Sequence, residues 1–174
     1  MSADILSMLP TLIKKRKMID FYRSSLWIGV RSRVLKNFRC ECIRCRYKGI
    51  VSKAVIVHHV RRLKQHPEFA VSERILIRDE GLRRKAHNLQ DNGANVMSLI
   101  SADGRVGKYV CTNIKGAGDV FVDLTSDEIL QLLPVCRSCH HEIHNTGKNA
   151  LVEYAYSAKA AEIAEIAEKY PERW

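Results

Sequence analysis

Two Cys-x2-Cys pairs, far apart in the chain, place the strongest constraint on what this sequence can fold into. The first pair is Cys42 and Cys45, and the second is Cys136 and Cys139. Two such pairs are typical of a tetrahedral zinc site built from two knuckles, in which four thiolates hold one ion. The sequence therefore predicts a structural zinc site, and a fold that forms it must bring two distant segments together.

Histidines lie close to both cysteine pairs, and they exceed what one zinc site can use. His58 and His59 follow the first pair, and His140 and His144 follow the second. His140 and His144 are four residues apart, which places them on one face of a helix, where both imidazoles can reach one cation. In a strand, His58 and His59 point to opposite faces. Since four thiolates already satisfy one zinc, the histidines indicate a second metal site that performs chemistry.

The charge of the chain is strongly positive and unevenly distributed. Its 174 residues include 29 Lys and Arg against 19 Asp and Glu, which gives a formal net charge of +10. Between Lys14 and Lys64 the only acidic residues are Asp20 and Glu41. This excess favours a polyanion as partner, most simply nucleic acid, drawn by phosphate charge and counterion release. The alternative is a basic face that only interacts with solvent.

In the first half of the chain, apolar spacing predicts mainly helices. A helix with a basic end is expected over residues 5–20, interrupted at Pro10 or beginning there, and an amphipathic helix over 20–37. A strand over 54–60 should carry the first histidines. The stretch 72–89 is strongly charged and compatible with a helix.

In the second half, short β-prone runs separated by turn sequences predict a small hairpin or a three-stranded insert. These runs are residues 96–100, 106–112 and 120–124. One or two helical turns are expected over 126–133, with Ser126 as their cap. A helix should cover 140–145, and a last helix 149–169.

The sequence shows neither a secretory signal at its start nor an apolar run of the roughly 20 residues that span a bilayer. We therefore expect a reducing cytoplasmic compartment and no membrane partner. In such a compartment, Cys-x2-Cys pairs bind metal more readily than they form disulfides.

The ordered series Cys-x2-Cys, His-His, Cys-x2-Cys-His-x3-His resembles the HNH endonucleases, also called ββα-metal nucleases. The similarity extends to Phe21–Trp27 and His66–Val71, and matching segments cover roughly residues 20–72 and 123–147. The resemblance implies an α+β fold: a ββα-metal (His-Me finger) core with a structural zinc site, flanking helices and a β-rich insertion. It also implies cleavage of DNA phosphodiester bonds, by nicking or by double-strand cutting.

The predicted organisation has three parts. An N-terminal basic helical region covers residues 1–38, and an HNH nuclease domain covers 39–147, with an insertion at about 72–123. A C-terminal helix covers 148–174. Similarity to phage-type members suggests genome packaging or a mobile-element nuclease, in the cytoplasm of a bacterial or phage-infected host cell. A packaging component is then a candidate protein partner.

The resemblance also implies a role for each histidine. His59 matches the general base, which as a neutral imidazole can take a proton from water at physiological pH. His58 and His140 match metal ligands, and His144 matches the additional ligand of some members, among them the nuclease colicins. His141 points away and is expected to be a phosphate contact or a surface residue. The expected cation is Mg²⁺ or Mn²⁺, with Zn²⁺ or Ni²⁺ as alternatives.

One position departs from the family pattern. The asparagine that gives HNH its middle letter braces the loop behind the general base, and register places Gln131 there. Glutamine offers the same amide on a longer arm. Asn95 is a rival, because Asn95–Ile100 is similar to the family's Asn-Leu-x-x-Leu-Cys run. The sequence leaves both residues open.

The expected partner is DNA, held by basic residues of the helix predicted over 20–37 and by two arginines after the histidine pair. These candidate phosphate contacts are Arg23, Arg31, Arg33, Lys36, Arg61 and Arg62. The main alternative is a non-catalytic zinc-dependent nucleic-acid-binding or assembly module, which needs no ordered histidines. A toxin-type nuclease delivered between cells is a further alternative, and it would usually need a delivery domain.

Overall fold

The computed structural model describes residues 2–114 and 118–145, and it has a mixed helix and sheet structure. This confirms the α+β class that the sequence predicts. The helix predicted over 149–169, with the whole C-terminal segment 148–174, lies outside the described residues. Within the described ranges, no helix is long and apolar enough to cross a membrane.

The N-terminal helix α1 (Ser2–Lys14) continues through Pro10, where the sequence predicts an interruption or a first turn. A proline inside a helix removes one backbone hydrogen bond, but the adjacent Leu9 is buried, and burial of the apolar face offsets that loss. The break comes instead near Arg16, whose φ of 57° is left-handed. The short helix α2 (Met18–Tyr22) follows.

The single helix predicted over 20–37 is in fact divided at Arg23 and Ser24. Helix α3 (Ser25–Asn37) begins after Ser24, whose backbone is extended and whose side chain accepts a hydrogen bond from the Trp27 N–H at 3.2 Å. A serine N-cap supplies a partner that the first turn of a helix lacks, so the chain starts a new helix here.

Three further α-helices and seven strands follow in the described residues, with one 3₁₀ turn at Pro67–Phe69. The helices are α4 (Ile43–Tyr47), α5 (Glu80–Asp91) and α6 (Arg137–Asn145). The strands are β1 (Ile56–His59), β2 (Arg74–Leu76), β3 (Met97–Ile100), β4 (Val106–Ile114), β5 (Gly118–Asp123), β6 (Glu128–Leu130) and β7 (Leu132–Val135). The strands predicted over 54–60, 96–100, 106–112 and 120–124 are confirmed as β1, β3, β4 and β5.

Strands β1 and β7 pair antiparallel, although all the other strands lie between them in the chain. Ile56 is opposite Val135, and His59 is opposite Leu132. Helix α3 contacts both strands, and α6 follows β7 directly and contacts β1. The result is a strand–strand–helix unit, in which β1 carries the histidine pair.

The other five strands form one antiparallel sheet in the order β2-β6-β5-β4-β3, and α5 packs on β4. The sheet therefore runs from Arg74 to Leu130 and includes more than the predicted three-stranded insert. The core of this sheet and the core of the strand–strand–helix unit form one buried cluster, which includes Ile56, Phe121 and Cys139.

Of two helical predictions inside this region, the one over 72–89 is confirmed only from residue 80 onward, and the one over 126–133 is wrong. Part of the stretch 72–89 is the edge strand β2, and the helix begins only after Asp79, whose carboxylate accepts from the N–H groups of Gly81 and Leu82. The stretch 126–133 contains β6 and the first half of β7. Ser126 does not cap a helix, because its hydroxyl donates to the Glu128 carboxylate at 2.9 Å.

Candidate metal centres

The four cysteines of the predicted knuckles lie together, although the inserted sheet separates the two pairs in the chain. Their sulfur atoms all lie within 4.8 Å of one another. The Cys45 Sγ is 3.8 Å from the Cys136 Sγ and 3.5 Å from the Cys139 Sγ. A tetrahedron with Zn–S bonds of about 2.3 Å has edges of about 3.8 Å. The cluster is therefore compatible with a structural zinc ion.

The protonation of these thiols also fits a cation-binding site. Burial raises the pKa of Cys42 and of Cys139, and the neighbouring Cys42 sulfur adds to the effect on Cys139. Burial also opposes ionisation of Cys136, but hydrogen bonds, led by one from the Cys139 backbone N–H, lower its pKa to about 7. Several thiolates this close together need a cation to offset their repulsion, so zinc binding would release protons.

A second cluster contains His58, His140 and His144, whose ring nitrogens also lie within 4.8 Å of one another. The ring centroid of His58 is 5.4 Å from that of His140 and 5.0 Å from that of His144. The Nε2 atoms of His140 and His144 are 3.1 Å apart. The helical spacing of α6 produces this pair, and β1 supplies the third imidazole from across the unit.

All three imidazoles are held in their neutral form, which is the form that binds metal. Burial, followed by the charges of His144 and His140, lowers the pKa of His58 well below its usual value. Burial and the neighbouring His144 lower the pKa of His140 to about 3. For His144, burial and then Arg62 lower the pKa. Lone pairs are therefore available in the cluster at neutral pH.

The ligand chemistry of this second cluster differs from that of the cysteines. Among the described residues, no carboxylate joins the three histidines. Imidazole nitrogens suit transition metals such as Zn²⁺, Ni²⁺ and Cu²⁺, whereas Mg²⁺ prefers oxygen ligands. The three residues therefore fit a divalent transition metal.

His59 lies on the face of β1 opposite His58. Its ring stacks on Trp27, with centroids 5.0 Å apart and an angle of 22° between the planes. Its Nε2 lies 2.8 Å from the carbonyl oxygen of Ala70. Because a carbonyl can only accept, Nε2 donates in this contact and carries a proton. Two contacts thus fix the orientation of the His59 ring, in an environment that leaves it only 3% exposed.

The two candidates for the HNH asparagine position lie in different places. Gln131 is fully buried, and its side-chain amide bonds the backbone of Arg61, accepting from the N–H and donating to the carbonyl, each at 3.0 Å. It therefore fastens the segment that follows His59. The Asn95 side chain donates to the Tyr47 carbonyl at the end of α4, so it lies beside the first cysteine knuckle. His141 is exposed.

The predicted phosphate contacts fall into two groups. Arg31 donates to the Val55 carbonyl at 2.6 Å, and Arg33 forms an ion pair with Glu73, so both guanidinium groups have a partner within the chain. Arg23, Lys36, Arg61 and Arg62 have exposed side chains. Arg62 lies close enough to lower the pKa of His144, which places positive charge beside the histidine cluster. The DNA-binding role of all six stays a prediction.

Three residues near these clusters were not identified from the sequence. Trp27 and the carbonyl of Ala70 orient His59, and the buried Arg44 lies between the two cysteine-bearing segments. Trp27 ends the run Phe21–Trp27 that supports the family resemblance, and this was its only signal. Ala70 acts through its backbone, and Arg44 through contacts with distant residues, so local sequence could not mark either.

The comparisons with known proteins add no relative. No family model matches this chain. No curated protein and no solved structure matches it either.

Proposed function

We propose that this protein is an endonuclease of the HNH (ββα-metal) type, which hydrolyses DNA phosphodiester bonds with the help of a divalent cation. The observation that carries the proposal is the cluster of His58, His140 and His144, separate from a four-cysteine cluster that can hold its own zinc. A purely structural zinc module needs no second set of converging, neutral imidazoles. The strand–strand–helix unit that presents them supports the ββα-metal assignment.

Each residue around the cluster has a part in this proposal. His58, His140 and His144 would hold the cation, which supplies positive charge to the scissile phosphate and the leaving oxygen. His59 would accept a proton from the attacking water, as the general base of the reaction. Gln131 keeps the segment after His59 in place. A role in phage genome packaging, or as a mobile-element nuclease, rests on the resemblance alone.

The second candidate is a non-catalytic zinc-dependent nucleic-acid-binding or assembly module. One observation favours it: His59 is 3% exposed, covered by Trp27 and bonded through Nε2. A general base must come within hydrogen-bond reach of the attacking water. The two functions differ in whether the histidines are needed for anything beyond the fold.

The test is incubation of the purified protein with supercoiled plasmid, in separate reactions with Mg²⁺, Mn²⁺, Ni²⁺, Zn²⁺ and EDTA. We expect nicked or linear DNA with at least one cation and none with EDTA. His140→Ala should abolish cleavage, whereas His87→Ala should not, because His87 lies in α5 and pairs with Asp127, in the turn between β5 and β6. Intact plasmid with every cation, or full cleavage by His140→Ala, would contradict the proposal.

A further inference from the structure

Arg44 is buried between the two cysteine-bearing segments, and its guanidinium contacts two other parts of the fold. It lies in α4, within the first cysteine pair, and is 8% exposed. Its Nε and Nη2 donate to the Asp119 Oδ2 at 3.0 and 2.6 Å. Its Nη1 donates to the carbonyl of Cys139 and to the Glu142 Oε2, both at 3.0 Å. A buried charge is retained only with such partners, since desolvation is otherwise costly.

The partners of Arg44 belong to elements with different roles. Asp119 is in β5, at the centre of the inserted five-stranded sheet. Cys139 and Glu142 are in α6, where they lie on either side of His140 and precede His144. One guanidinium therefore connects the first knuckle, the inserted sheet and the helix that carries two of the three clustered histidines.

This connection supplies a restraint that zinc alone does not. Zinc would hold α6 only through Cys136 and Cys139, in the first turn of the helix or just before it. A helix held at one end can rotate or tilt, and either motion would move His140 and His144 relative to His58. Arg44 binds the Cys139 carbonyl and the Glu142 carboxylate, which belong to residues three apart on one face of the helix. Metal sites tolerate errors in ligand distance of only about 0.2 Å, so this restraint matters.

We propose that Arg44 is a positioning residue for the histidine site. It fixes α6 to the first cysteine knuckle and to the inserted sheet. The inference rests on the proposed function, because it assigns a cation to the histidines. It gives the inserted sheet a part in the site, since Asp119 fixes the direction of the guanidinium. Groups outside the ligand shell that orient metal ligands typically change metal affinity by about 10- to 100-fold.

The test is a titration with Co²⁺ of protein that holds one equivalent of zinc, at the cysteines, followed by visible absorption. Bound zinc is measured separately for each variant. Arg44→Met keeps much of the side-chain length but removes every hydrogen bond, and Arg44→Lys keeps the charge but lacks the planar fork that reaches both sides. Arg46→Met is the matched control, because Arg46 is in the same helix and pairs with Glu41 at 2.6 Å.

We expect wild-type protein to bind one Co²⁺ without thiolate-to-metal absorption, and His140→Ala to lose that binding. Arg44→Met should bind Co²⁺ about 10- to 100-fold more weakly, with an altered spectrum, while keeping its zinc. Arg44→Lys should weaken binding less, and Arg46→Met should match wild type. These spectra separate positioning from a general loss of stability, which would also release zinc.

Wild-type affinity and spectrum in Arg44→Met would overturn this inference and leave the proposed function intact. Failure of the wild-type protein to bind Co²⁺ at the histidines would refute the proposed function, and this inference with it. If Arg44→Met does not fold, Arg44→Lys and Asp119→Asn decide by the same criteria, since each leaves part of the network in place.

Discussion

Replacing Gln131 by leucine should destabilise the protein by about 2 to 4 kcal/mol. The substitution keeps the apolar bulk of a fully buried side chain but removes both hydrogen bonds to the Arg61 backbone. Two such bonds contribute about 0.5 to 1.5 kcal/mol each, and a polar group left without a partner away from water costs about 1 to 3 kcal/mol. Because Arg61 lies at the edge of the core, water can partly replace the two lost hydrogen bonds. The expected loss of stability is therefore smaller than the sum of the maximum values.

The assay is urea unfolding of zinc-loaded protein, with Gln65→Leu as the control. Gln65 is exposed, so its substitution should change the free energy of unfolding by less than about 0.5 kcal/mol. Gln131→Asn keeps the amide group but shortens the side chain. The shorter side chain cannot make both hydrogen bonds to Arg61 without a backbone shift. We expect an intermediate loss of stability for that variant.

The same variants test the link to function. If the segment after His59 must be held for cleavage, Gln131→Leu should cut plasmid more slowly under conditions in which it is fully folded. An unchanged free energy of unfolding in Gln131→Leu would refute the account of these two hydrogen bonds. Reduced stability with undiminished cleavage would show that the bonds serve the fold alone.

Three further predictions concern the cysteines, the proposed base and the basic surface. Cys139→Ser should release zinc and lower the melting temperature, whereas Cys40→Ser, which replaces an exposed cysteine, should do neither; metal analysis and thermal unfolding decide. His59→Ala should reduce plasmid cleavage by a factor of about 10² to 10⁴ while zinc content and DNA affinity stay near wild type, and substantial cleavage would assign the base elsewhere. Arg62→Ala should reduce the slope of log affinity for DNA against log salt concentration by about 0.9. Arg33→Ala should leave this slope unchanged, because Arg33 is paired with the Glu73 carboxylate. Equal slopes for Arg62→Ala and wild type in binding titrations would remove Arg62 from the DNA contacts.

The two clusters could be anticipated because their ligands are spaced by local geometry. His140 and His144 meet on one face of α6 as a result of helical periodicity, and the cysteine pairs each form one knuckle. Alternation in β1 likewise separates His58 from His59. No such rule states that β1 must pair with β7 across the inserted sheet, and that pairing is what brings His58 to the other two histidines.

The errors in the secondary structure have a physical cause. Ile129, Leu130, Leu132 and Leu133 are all nearly fully buried, so β6 and β7 show no alternation of apolar and polar residues. Their spacing also fits a helical stripe, and without alternation a short apolar run cannot be assigned to a strand. Strand β2 is a three-residue edge strand, in which Arg74 pairs with the buried carboxylate of Asp123. The sequence around Arg74 does not reveal that partner.

The basic residues show the limit of charge as a guide to function. Arg31 and Arg33 lie in a region of high positive charge, which predicts phosphate contacts, yet both have partners within the chain. Charge density along a sequence does not distinguish a guanidinium that binds DNA from one that fastens two elements. The partners Val55 and Glu73 become visible only in the folded chain, and whether Arg31 and Arg33 also contact DNA stays a prediction.

The central claim is that the cation held by the three histidines is the one used for cleavage, and a metal titration of activity tests it most directly. Plasmid cleavage is measured against the concentration of Mn²⁺ or Ni²⁺ for wild type and for His144→Ala, which removes one ligand and leaves the cysteines untouched. The account predicts that His144→Ala needs at least about tenfold more cation for half-maximal cleavage, because affinity falls with each lost imidazole. The same half-maximal concentration in both proteins would place the catalytic cation elsewhere and contradict the account.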